Sequence, residues 1–382
     1  MEMAVLIVGA GPSGLATSVC LRQFSIPHLI LEKEDCYASL WKKRAYNRLK
    51  LHLAKEFCHL PFKPHSPSSP TYISKDGFIQ YLDEYVATFN IQARYHRCVE
   101  SAVYDQVSQK WQIQAKNTLS GSLENYVAKF LVVATGENSE GYIPRLRGLD
   151  NFKGEIVHSS KYKSGSEYEN MEVLVVGCGN SGMEIAYDLS NFGARTSIVI
   201  RSPFHVLTKE MVRLAMSLQK YLPTSLVDFI IVWVAQFYYG DLSKYGLHRP
   251  TKGPFAIKET TGRSPVIDVG TIKRIQEKEI KVFMEISSIN ENNVEFKDGV
   301  EREFDAIVFA TGYKSLTNNW LKDYSFLLND EGMPRNKFPT HWKGQHGLYC
   351  AGFARRGLFG VSMDAKAIAK DINNVMVNRN DY

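Results

Sequence analysis

Residues 4–14 read AVLIVGAGPSG. The stretch begins as an apolar run that predicts a buried strand, and it continues into the spacing GxGxxG formed by Gly9, Gly11 and Gly14. In a dinucleotide-binding turn the first glycine permits the tight turn, the second lets the backbone approach a pyrophosphate, and the third lets helix and strand pack closely. A second predicted strand ends in Glu32, about 20 residues further on, where a carboxylate accepts hydrogen bonds from a ribose 2′-hydroxyl.

The same pattern occurs a second time. Residues 172–182 read EVLVVGCGNSG, with Gly177, Gly179 and Gly182 at the three glycine positions. The strand that follows the next predicted helix ends in Arg201 instead of an acidic residue. A guanidinium can bind a 2′-phosphate through charge-assisted hydrogen bonds, whereas a carboxylate would repel it. We therefore expect a free 2′-hydroxyl at the first site and NADPH at the second.

The segments that follow the two glycine motifs also end in the same way. In each, a predicted strand leads into Ala-Thr-Gly, at 134–136 and at 310–312. Two units of similar length with the same beginning and the same end indicate an internal duplication. Two nucleotide sites in one chain favour electron transfer, with NADPH as hydride donor and FAD, itself a dinucleotide, as acceptor.

The amino-acid composition excludes several classes of protein. The chain has 382 residues, of which 44% are hydrophobic and 23% charged, so it is neither disordered nor fibrous. A net charge of +6 is too small and diffuse to indicate a nucleic-acid-binding protein. The six cysteines form no CxxC pair, which excludes a dithiol centre of adjacent cysteines, a zinc ribbon and a disulfide scaffold, and favours a reducing compartment.

One apolar run is long enough to raise the question of a membrane. Residues 226–239 read LVDFIIVWVAQFYY, which is shorter than the roughly 20 residues needed to cross a bilayer. We therefore expect a buried or pocket-lining helix there and no integral membrane segment.

Residues 152–162 read FKGEIVHSSKY, which matches the signature FxGxxxHxxxY/F of flavin-containing monooxygenases directly ahead of the second GxGxxG. Further segments narrow the resemblance to the YUCCA family of plant flavin monooxygenases, the indole-3-pyruvate monooxygenases of auxin biosynthesis. These segments are SLWKKRAYNRLKLHLAKEFCHLPF (39–62), ATGEN (134–138), YGLHRPTKGPF (245–255), TTGRSPVIDVGT (260–271), FATGYKS (309–315) and GFARRGLFG (352–360).

The resemblance implies an α/β fold of two Rossmann-like dinucleotide-binding domains, one for FAD and one for NADPH, with the second inserted in the first. We expect the FAD-binding domain to comprise residues 1–155 and 313–382. The NADPH-binding domain would comprise 156–312, with a helical, pocket-covering insertion around 205–260.

The resemblance also assigns cofactor-binding residues to this sequence. Those expected to bind FAD are Gly9, Ala10, Gly11, Pro12, Ser13, Gly14, Glu32, Leu40 and Trp41. Those expected to bind NADPH are Gly177, Cys178, Gly179, Asn180, Ser181, Gly182, Arg201 and Ser202.

Two polar residues are the catalytic candidates. The wider monooxygenase family often has an asparagine near the flavin where this chain reads Leu51-His52-Leu53. His52 matches the YUCCA form of that segment, and a satisfied core histidine is the alternative at this position. Asn138, in ATGEN, is the second candidate. His158 and Tyr162 are interpreted as positioning residues between the domains.

The reaction implied is conversion of indole-3-pyruvate to indole-3-acetate and CO₂ with NADPH and O₂, through a C4a-peroxyflavin. A general S- or N-oxygenating flavin monooxygenase and a catalytically idle NADPH- or FAD-binding protein remain as alternatives. The expected partners are a small 2-oxo acid and O₂, with no nucleic acid and no metal. The expected location is the cytoplasm, and peripheral association with the surface of the endoplasmic reticulum and the oligomeric state stay open.

Overall fold

The structure, a computed structural model, describes residues 1–322 and 324–378 and divides the chain into two compact units. The first unit contains Met1–Arg44, Lys55–Glu140 and Tyr313–Tyr382, and the second contains Ala45–Ala54 and Gly141–Gly312. The change between units thus falls after residue 140 instead of 155, and the short segment 45–54 groups with the second unit.

The strands, in chain order, are β1 Glu2–Val8, β2 His28–Leu31, β3 Arg97–Asp105, β4 Lys110–Asn117, β5 Leu123–Val133, β6 Glu140–Gly141, β7 Glu155–His158, β8 Glu172–Val176, β9 Arg195–Val199, β10 Val206–Leu207, β11 Val266–Ile267, β12 Lys281–Phe283, β13 Ile286–Asn290, β14 Asn293–Phe296, β15 Glu301–Glu303, β16 Ala306–Phe309, β17 Tyr313–Lys314 and β18 Leu348–Cys350.

The α-helices are α1 Pro12–Arg22, α2 Lys75–Thr88, α3 Asn180–Asn191, α4 Lys209–Leu218, α5 Thr224–Tyr239, α6 Pro254–Thr261, α7 Thr271–Gln276, α8 Thr317–Trp320 and α9 Gly357–Val377. Short turns of 3₁₀-helix lie at Lys55–Phe57, Leu149–Asn151, Gly165–Tyr168 and Leu242–Tyr245, and Leu40–Arg44 form a π-helix.

The first unit is built on a sheet of order β2-β1-β5-β4-β3. β1 pairs in parallel with β2 and with the C-terminal half of β5, while β4 pairs with the N-terminal half of β5 in antiparallel fashion. β18, near the end of the chain, pairs in parallel with the last residues of β5. The C-terminal segment therefore completes the first sheet after the second unit has been inserted.

The second unit has a parallel sheet of order β12-β9-β8-β16-β7. The central strands β8 and β16 are fully buried or nearly so along their length, as expected for a parallel sheet that is covered on both faces. A separate antiparallel sheet, β13-β14-β15, follows β12. Together the two units have the α/β architecture of paired Rossmann-like domains.

The region around 205–260 is helical, as α4, α5 and α6 with a 3₁₀ turn between the last two. One face of α5 belongs to the core of the second unit through Val227, Ile231, Ala235 and Tyr239. Its other face is exposed, so the expected buried or pocket-lining helix is buried on one side only. Across 1–322 and 324–378, no helix combines the length and apolar character needed to cross a bilayer.

Two acidic side chains of α3 explain why residues 45–54 belong to the second unit. Glu184 accepts a hydrogen bond from the Tyr46 hydroxyl at 2.8 Å, and both residues are buried. Arg48 lies 3.7 Å from Glu184 and 3.7 Å from Asp188, one helical turn further on. A buried carboxylate needs such partners, because an unpaired charge in the interior is costly.

Candidate functional site

The first glycine loop joins β1 to α1. Gly9 has φ of +109°, and a Cβ at this position would lie 2.6 Å from the carbonyl oxygen of Ala134. A Cβ at Gly14 would lie 2.0 Å from the carbonyl oxygen of Gly9. A Cβ at Gly11, by contrast, would meet no heavy atom within 4 Å. Two of the glycines are thus required by the protein's own packing, while the middle one faces open space.

Helix α1 begins directly behind this open space. Gly11 is its N-cap, no side chain caps it, and Pro12 occupies the first turn. The first backbone N–H groups of an α-helix have no partner within the helix, and together with the helix dipole they favour an anion. The loop therefore has the shape and the polarity of a phosphate-binding cradle.

Glu32 lies at the end of β2, beside the same loop. It is 6% exposed, and its two carboxylate oxygens accept hydrogen bonds from the backbone N–H groups of Ala10, at 2.7 Å, and Glu34, at 3.0 Å. An ionised carboxylate has about four lone-pair sites, so it retains the capacity to accept from a ribose hydroxyl. The backbone bonds hold the carboxylate in place.

Leu40 and Trp41 occupy the start of the π-helix, and both are half-buried. The indole of Trp41 packs edge-on against Phe78 of α2, with 4.6 Å between ring centroids. This contact fixes the orientation of the short π-helix within the first unit.

A further part of this site lies in the C-terminal tail. Gly352 has φ of +86°, and a Cβ there would lie 2.0 Å from the hydroxyl oxygen of Ser13. Its N–H donates to Asp364 at 2.9 Å, and Asp364 in turn lies 3.0 Å from His341. His341 and Asp364 are both almost completely buried. The motif GFARRG marked this tail in the sequence, but it did not indicate that Gly352 contacts Ser13 and Asp364.

The second glycine loop repeats the geometry of the first. Gly177 has φ of +114°, and a Cβ there would lie 2.6 Å from the carbonyl oxygen of Ala310. A Cβ at Gly182 would lie 1.9 Å from the carbonyl oxygen of Gly177, whereas at Gly179 it would meet nothing within 4 Å. Gly179 is the N-cap of α3, again without a side-chain cap. Each unit therefore carries its own dinucleotide cradle.

Arg201 follows β9 with its side chain 70% exposed, and Nη1 lies 3.8 Å from Glu285. Ser202, the next residue, is half-buried. Burial raises the pKa of Cys178 within the second loop, and the positive charges of Arg201 and Arg263 oppose this rise. Arg263 is thus a second cation near this loop that sequence reasoning missed.

Asn180, in the second glycine motif, is already engaged by the protein. Its side-chain oxygen accepts a hydrogen bond from the N–H of Ile267 at 2.7 Å. This bond ties the start of α3 to β11, so the side chain of Asn180 serves the fold of the second unit.

His52 lies in the second unit and is half-buried, with Nε2 3.5 Å from Oε2 of Glu184. Lys209, at the start of α4, belongs to the same charged group, and burial lowers its pKa despite the opposing charge of Glu184. His52 thus shares the Glu184 carboxylate with Tyr46 and Arg48, which is also the kind of partner that a satisfied core histidine has.

Asn138 lies in the first unit, in the loop that follows β5, and its side chain is exposed. The neighbouring Ser139 hydroxyl donates to the carbonyl oxygens of Thr135 and Gly136, at 3.2 and 2.9 Å, which shapes the loop. The two catalytic candidates thus belong to different units of the chain.

The residues of the signature FxGxxxHxxxY make their contacts within the second unit. His158, at the end of β7, is 3.0 Å from the Ser160 hydroxyl through Nδ1 and 3.0 Å from the Gly312 carbonyl through Nε2. Burial lowers the pKa of His158. The Tyr162 hydroxyl donates to Asp188 at 2.6 Å. The histidine therefore holds the end of the second Ala-Thr-Gly turn, and the tyrosine holds α3.

The cysteines give no support to a thiol redox centre. All six are free, and burial raises the pKa of every one. A raised pKa disfavours the reactive thiolate.

Comparison with known proteins places this geometry in a family. Residues 6–225 match the family described as pyridine nucleotide-disulphide oxidoreductase. The chain is 57% identical over 377 residues, 98% of both chains, to a probable indole-3-pyruvate monooxygenase of Arabidopsis thaliana, YUCCA10. It is 45% identical over 375 residues to the indole-3-pyruvate monooxygenase YUCCA6 of the same plant, which covers 96% of this chain and 89% of the relative.

Among solved structures, a flavin-containing monooxygenase from Stenotrophomonas maltophilia superposes with a TM-score of 0.74 at 19% identity, covering 98% of this chain and 99% of the other. The likeness to this solved structure shows that the chain has the same fold. The matches in sequence to the plant proteins show the family to which it belongs. The chain is an oxidoreductase that depends on FAD and NADPH. It belongs to the YUCCA family of flavin-containing monooxygenases.

Proposed function

We propose that this chain converts indole-3-pyruvate to indole-3-acetate with NADPH and O₂, with release of CO₂, in auxin biosynthesis. The observation that carries the proposal is the pair of uncapped glycine loops, each with an open middle glycine, in a chain 57% identical to a protein named as such an enzyme. Two intact cradles favour an active electron-transfer enzyme over a catalytically idle binding protein.

We assign FAD to the loop of the first unit and NADPH to the loop of the second. The backbone N–H groups at the start of each helix would bind the pyrophosphate. Glu32, held by two backbone hydrogen bonds, would accept from the ribose of FAD. Leu40 and Trp41 would contact the same cofactor, and the side chain of Ser13 would lie beside its phosphates.

Arg201 and Ser202 would bind the 2′-phosphate of NADPH. The guanidinium is exposed, and its contact with Glu285 is long, so it can exchange that partner for a phosphate at little cost. Arg263 would add a second positive charge near the same loop. A glutamate in place of Arg201 would repel the phosphate.

When bound, FAD supplies the transfer of electrons from NADPH and the activation of O₂ for attack on the keto carbon of the substrate. The protein must keep water away from this chemistry and provide hydrogen bonds to the reacting oxygen. We propose His52 and Asn138 for that task. Glu184, 3.5 Å from Nε2 of His52, would orient the imidazole ring.

We also propose a cytoplasmic location with peripheral association at the surface of the endoplasmic reticulum. All six cysteines are free, which fits the reducing side of that membrane.

The test is product analysis of the purified, FAD-loaded protein. Given NADPH, O₂ and indole-3-pyruvate, it should form indole-3-acetate and CO₂ in proportion to the NADPH consumed. Catalase must be present, because free H₂O₂ decarboxylates 2-oxo acids without an enzyme. Loss of indole-3-acetate on addition of catalase would show that the chain acts only as an NADPH oxidase in this assay.

A parallel panel of thioethers and tertiary amines distinguishes the general oxygenating alternative. Oxygen transfer to sulfur or nitrogen, with no indole-3-acetate formed, would refute the proposed substrate while leaving both cofactor sites in place.

A further inference from the structure

Helix α5 has apolar residues on two opposite sides. Val227, Ile231, Ala235 and Tyr239, four residues apart, are buried in the second unit. A second stripe faces solvent at the helical spacing of three and four residues. We call this stripe, with the adjacent Tyr238, the aromatic face; it consists of Leu226, Phe229, Trp233, Phe237 and Tyr238.

The aromatic face is strongly exposed. Phe229 is 70% exposed, Trp233 65%, Phe237 86% and Tyr238 66%, and the rings of Trp233 and Phe237 stack with centroids 6.2 Å apart. Single exposed apolar residues are ordinary, but a contiguous patch of large aromatic side chains marks a surface that binds something apolar.

No charge interrupts this face. The only ionisable carboxylate of α5 is Asp228, and it is buried on the other side, where it accepts hydrogen bonds from the N–H groups of Phe255 and Ala256 at 2.9 and 3.0 Å. These bonds anchor α5 to the start of α6. The apolar stripe on the opposite side of α5 faces outward.

The sequence around α5 is moderately basic. Residues 210–262 contain six lysines and arginines against four aspartates and glutamates, one of which is the buried Asp228. Arg213 and Lys220 are exposed just ahead of α5, together with Leu214 and Tyr221, which is 85% exposed. α4, which carries Arg213, packs against α5, so positive charge lies on a helix that neighbours the one with the aromatic face.

We propose that the aromatic face of α5 docks on the surface of an anionic phospholipid bilayer, with the helix in the plane of the interface. Helices that lie at membrane interfaces combine a stripe of Trp, Phe and Leu with flanking Lys and Arg, which attract anionic headgroups. Trp and Tyr are favoured at that depth because their rings are apolar and their polar atoms remain hydrated. The 16 residues of α5 are too few to span the bilayer.

This inference deepens the proposed peripheral location, and it concerns a surface on which neither cofactor loop depends. It can therefore fail while the proposed reaction stands, and it can hold if the substrate proves to be different.

The test uses the full, FAD-loaded chain in flotation with phosphatidylcholine vesicles that contain about one third phosphatidylserine. We expect the protein to float with these vesicles, and to float less with pure phosphatidylcholine. Trp233→Ser/Phe237→Ser should weaken binding about tenfold or more, because it removes two exposed rings that would enter the membrane interface. Arg213→Gln/Lys220→Gln should weaken binding to the anionic vesicles and reduce its dependence on salt.

The matched control is Val107→Ser/Leu119→Ser, which removes two exposed apolar side chains from turns of the first unit. This variant should bind vesicles like the unchanged protein. Flavin content and melting temperature should be the same in all variants, which separates loss of docking from loss of folding.

Three results would overturn the proposal. Trp233→Ser/Phe237→Ser could bind vesicles as well as the unchanged protein does, or neither protein could bind them. The third is a dimer in solution that this double variant converts to a monomer without any vesicle binding, which would show that a second copy of the chain covers the face.

Discussion

Gly14 lies so close to the carbonyl oxygen of Gly9 that a Cβ at position 14 would be 2.0 Å from it. Between them, Gly11 has φ of −70° and ψ of 178°, which any residue can adopt, and no neighbour within 4 Å of a Cβ. The outer glycines therefore serve the fold, and the middle glycine can be replaced with little effect on it. This difference allows cofactor binding to be tested apart from folding.

Gly11→Val should yield a folded protein that has lost most of its FAD, because the added side chain fills the space through which the pyrophosphate approaches. Released flavin, measured by absorbance and chromatography, reports the occupancy. Gly179→Val is the matched variant at the second loop, where it should preserve FAD and weaken NADPH binding. Full flavin occupancy in Gly11→Val would mean that FAD binds elsewhere.

Arg201→Ala should reduce the preference for NADPH over NADH. A hydrogen bond to a charged group contributes about 1.5–3 kcal/mol, which corresponds to about ten- to a hundred-fold in discrimination. The ratio of kcat/KM with NADPH to kcat/KM with NADH measures this preference. Arg195→Ala, at the other end of β9 and paired with Glu172 at 2.6 Å, is the control and should leave the ratio unchanged. An unaltered ratio in Arg201→Ala would refute the assignment.

His52→Ala and Asn138→Ala should each raise the H₂O₂ released per NADPH consumed. Groups that hydrogen-bond the reacting oxygen affect its fate more than they affect delivery of electrons to the flavin. Reduction of the flavin by NADPH without O₂ should therefore stay close to normal. His248→Ala, at an exposed histidine of the second unit, is the control. Slowed anaerobic reduction with unchanged H₂O₂ release would place these residues at a different step.

His158→Gln should make stability less sensitive to acid. Burial lowers the pKa of His158 from its usual 6.5, so below about pH 6.5 the unfolded chain binds a proton more readily than the folded one. The contribution of neutral, buried His158 to the free energy of unfolding is complete above that pH. It is lost as the pH falls through the pKa of His158 in the folded protein. Urea unfolding from pH 7.5 down to 5 measures it. An equal acid dependence in both proteins would contradict this view.

Tyr46→Phe should destabilise the protein by about 1–3 kcal/mol, because Glu184 would remain buried with one hydrogen bond fewer. Urea or thermal unfolding gives the change. Tyr221→Phe removes a hydroxyl from a tyrosine that is 85% exposed, and it should change stability very little. Equal stability of the two variants would show that Glu184 does not depend on Tyr46.

The sequence predicted the glycine loops and the strands that lead into them and into the Ala-Thr-Gly turns, and it did so for a physical reason. β2 and β16 have the expected ends, because a run of buried residues is followed directly by a residue or turn of distinct chemistry. The family resemblance also predicted the insertion of the second domain in the first. Local pattern is sufficient where the signal and the structure that it specifies lie within the same few residues.

The placement of residues 45–54 could not be predicted in this way. It depends on hydrogen bonds between Tyr46 and Glu184, which are 138 positions apart, and nothing in either local pattern indicates the other. The exposed face of α5 was missed for a related reason. A helix with apolar residues all round reads as buried, and periodicity does not show which side lacks a partner.

The second unit consists of two pieces of chain that are not adjacent in sequence, and this limits how the protein can be dissected. A fragment of residues 141–312 would keep the Asp188 contacts with Tyr162 and Gly165, but Glu184 would lose Tyr46, Arg48 and His52 together. Gene fragments cut at the apparent domain ends would therefore express an unstable product. A synthetic peptide of residues 45–54, supplied in trans, is the natural complement to such a fragment.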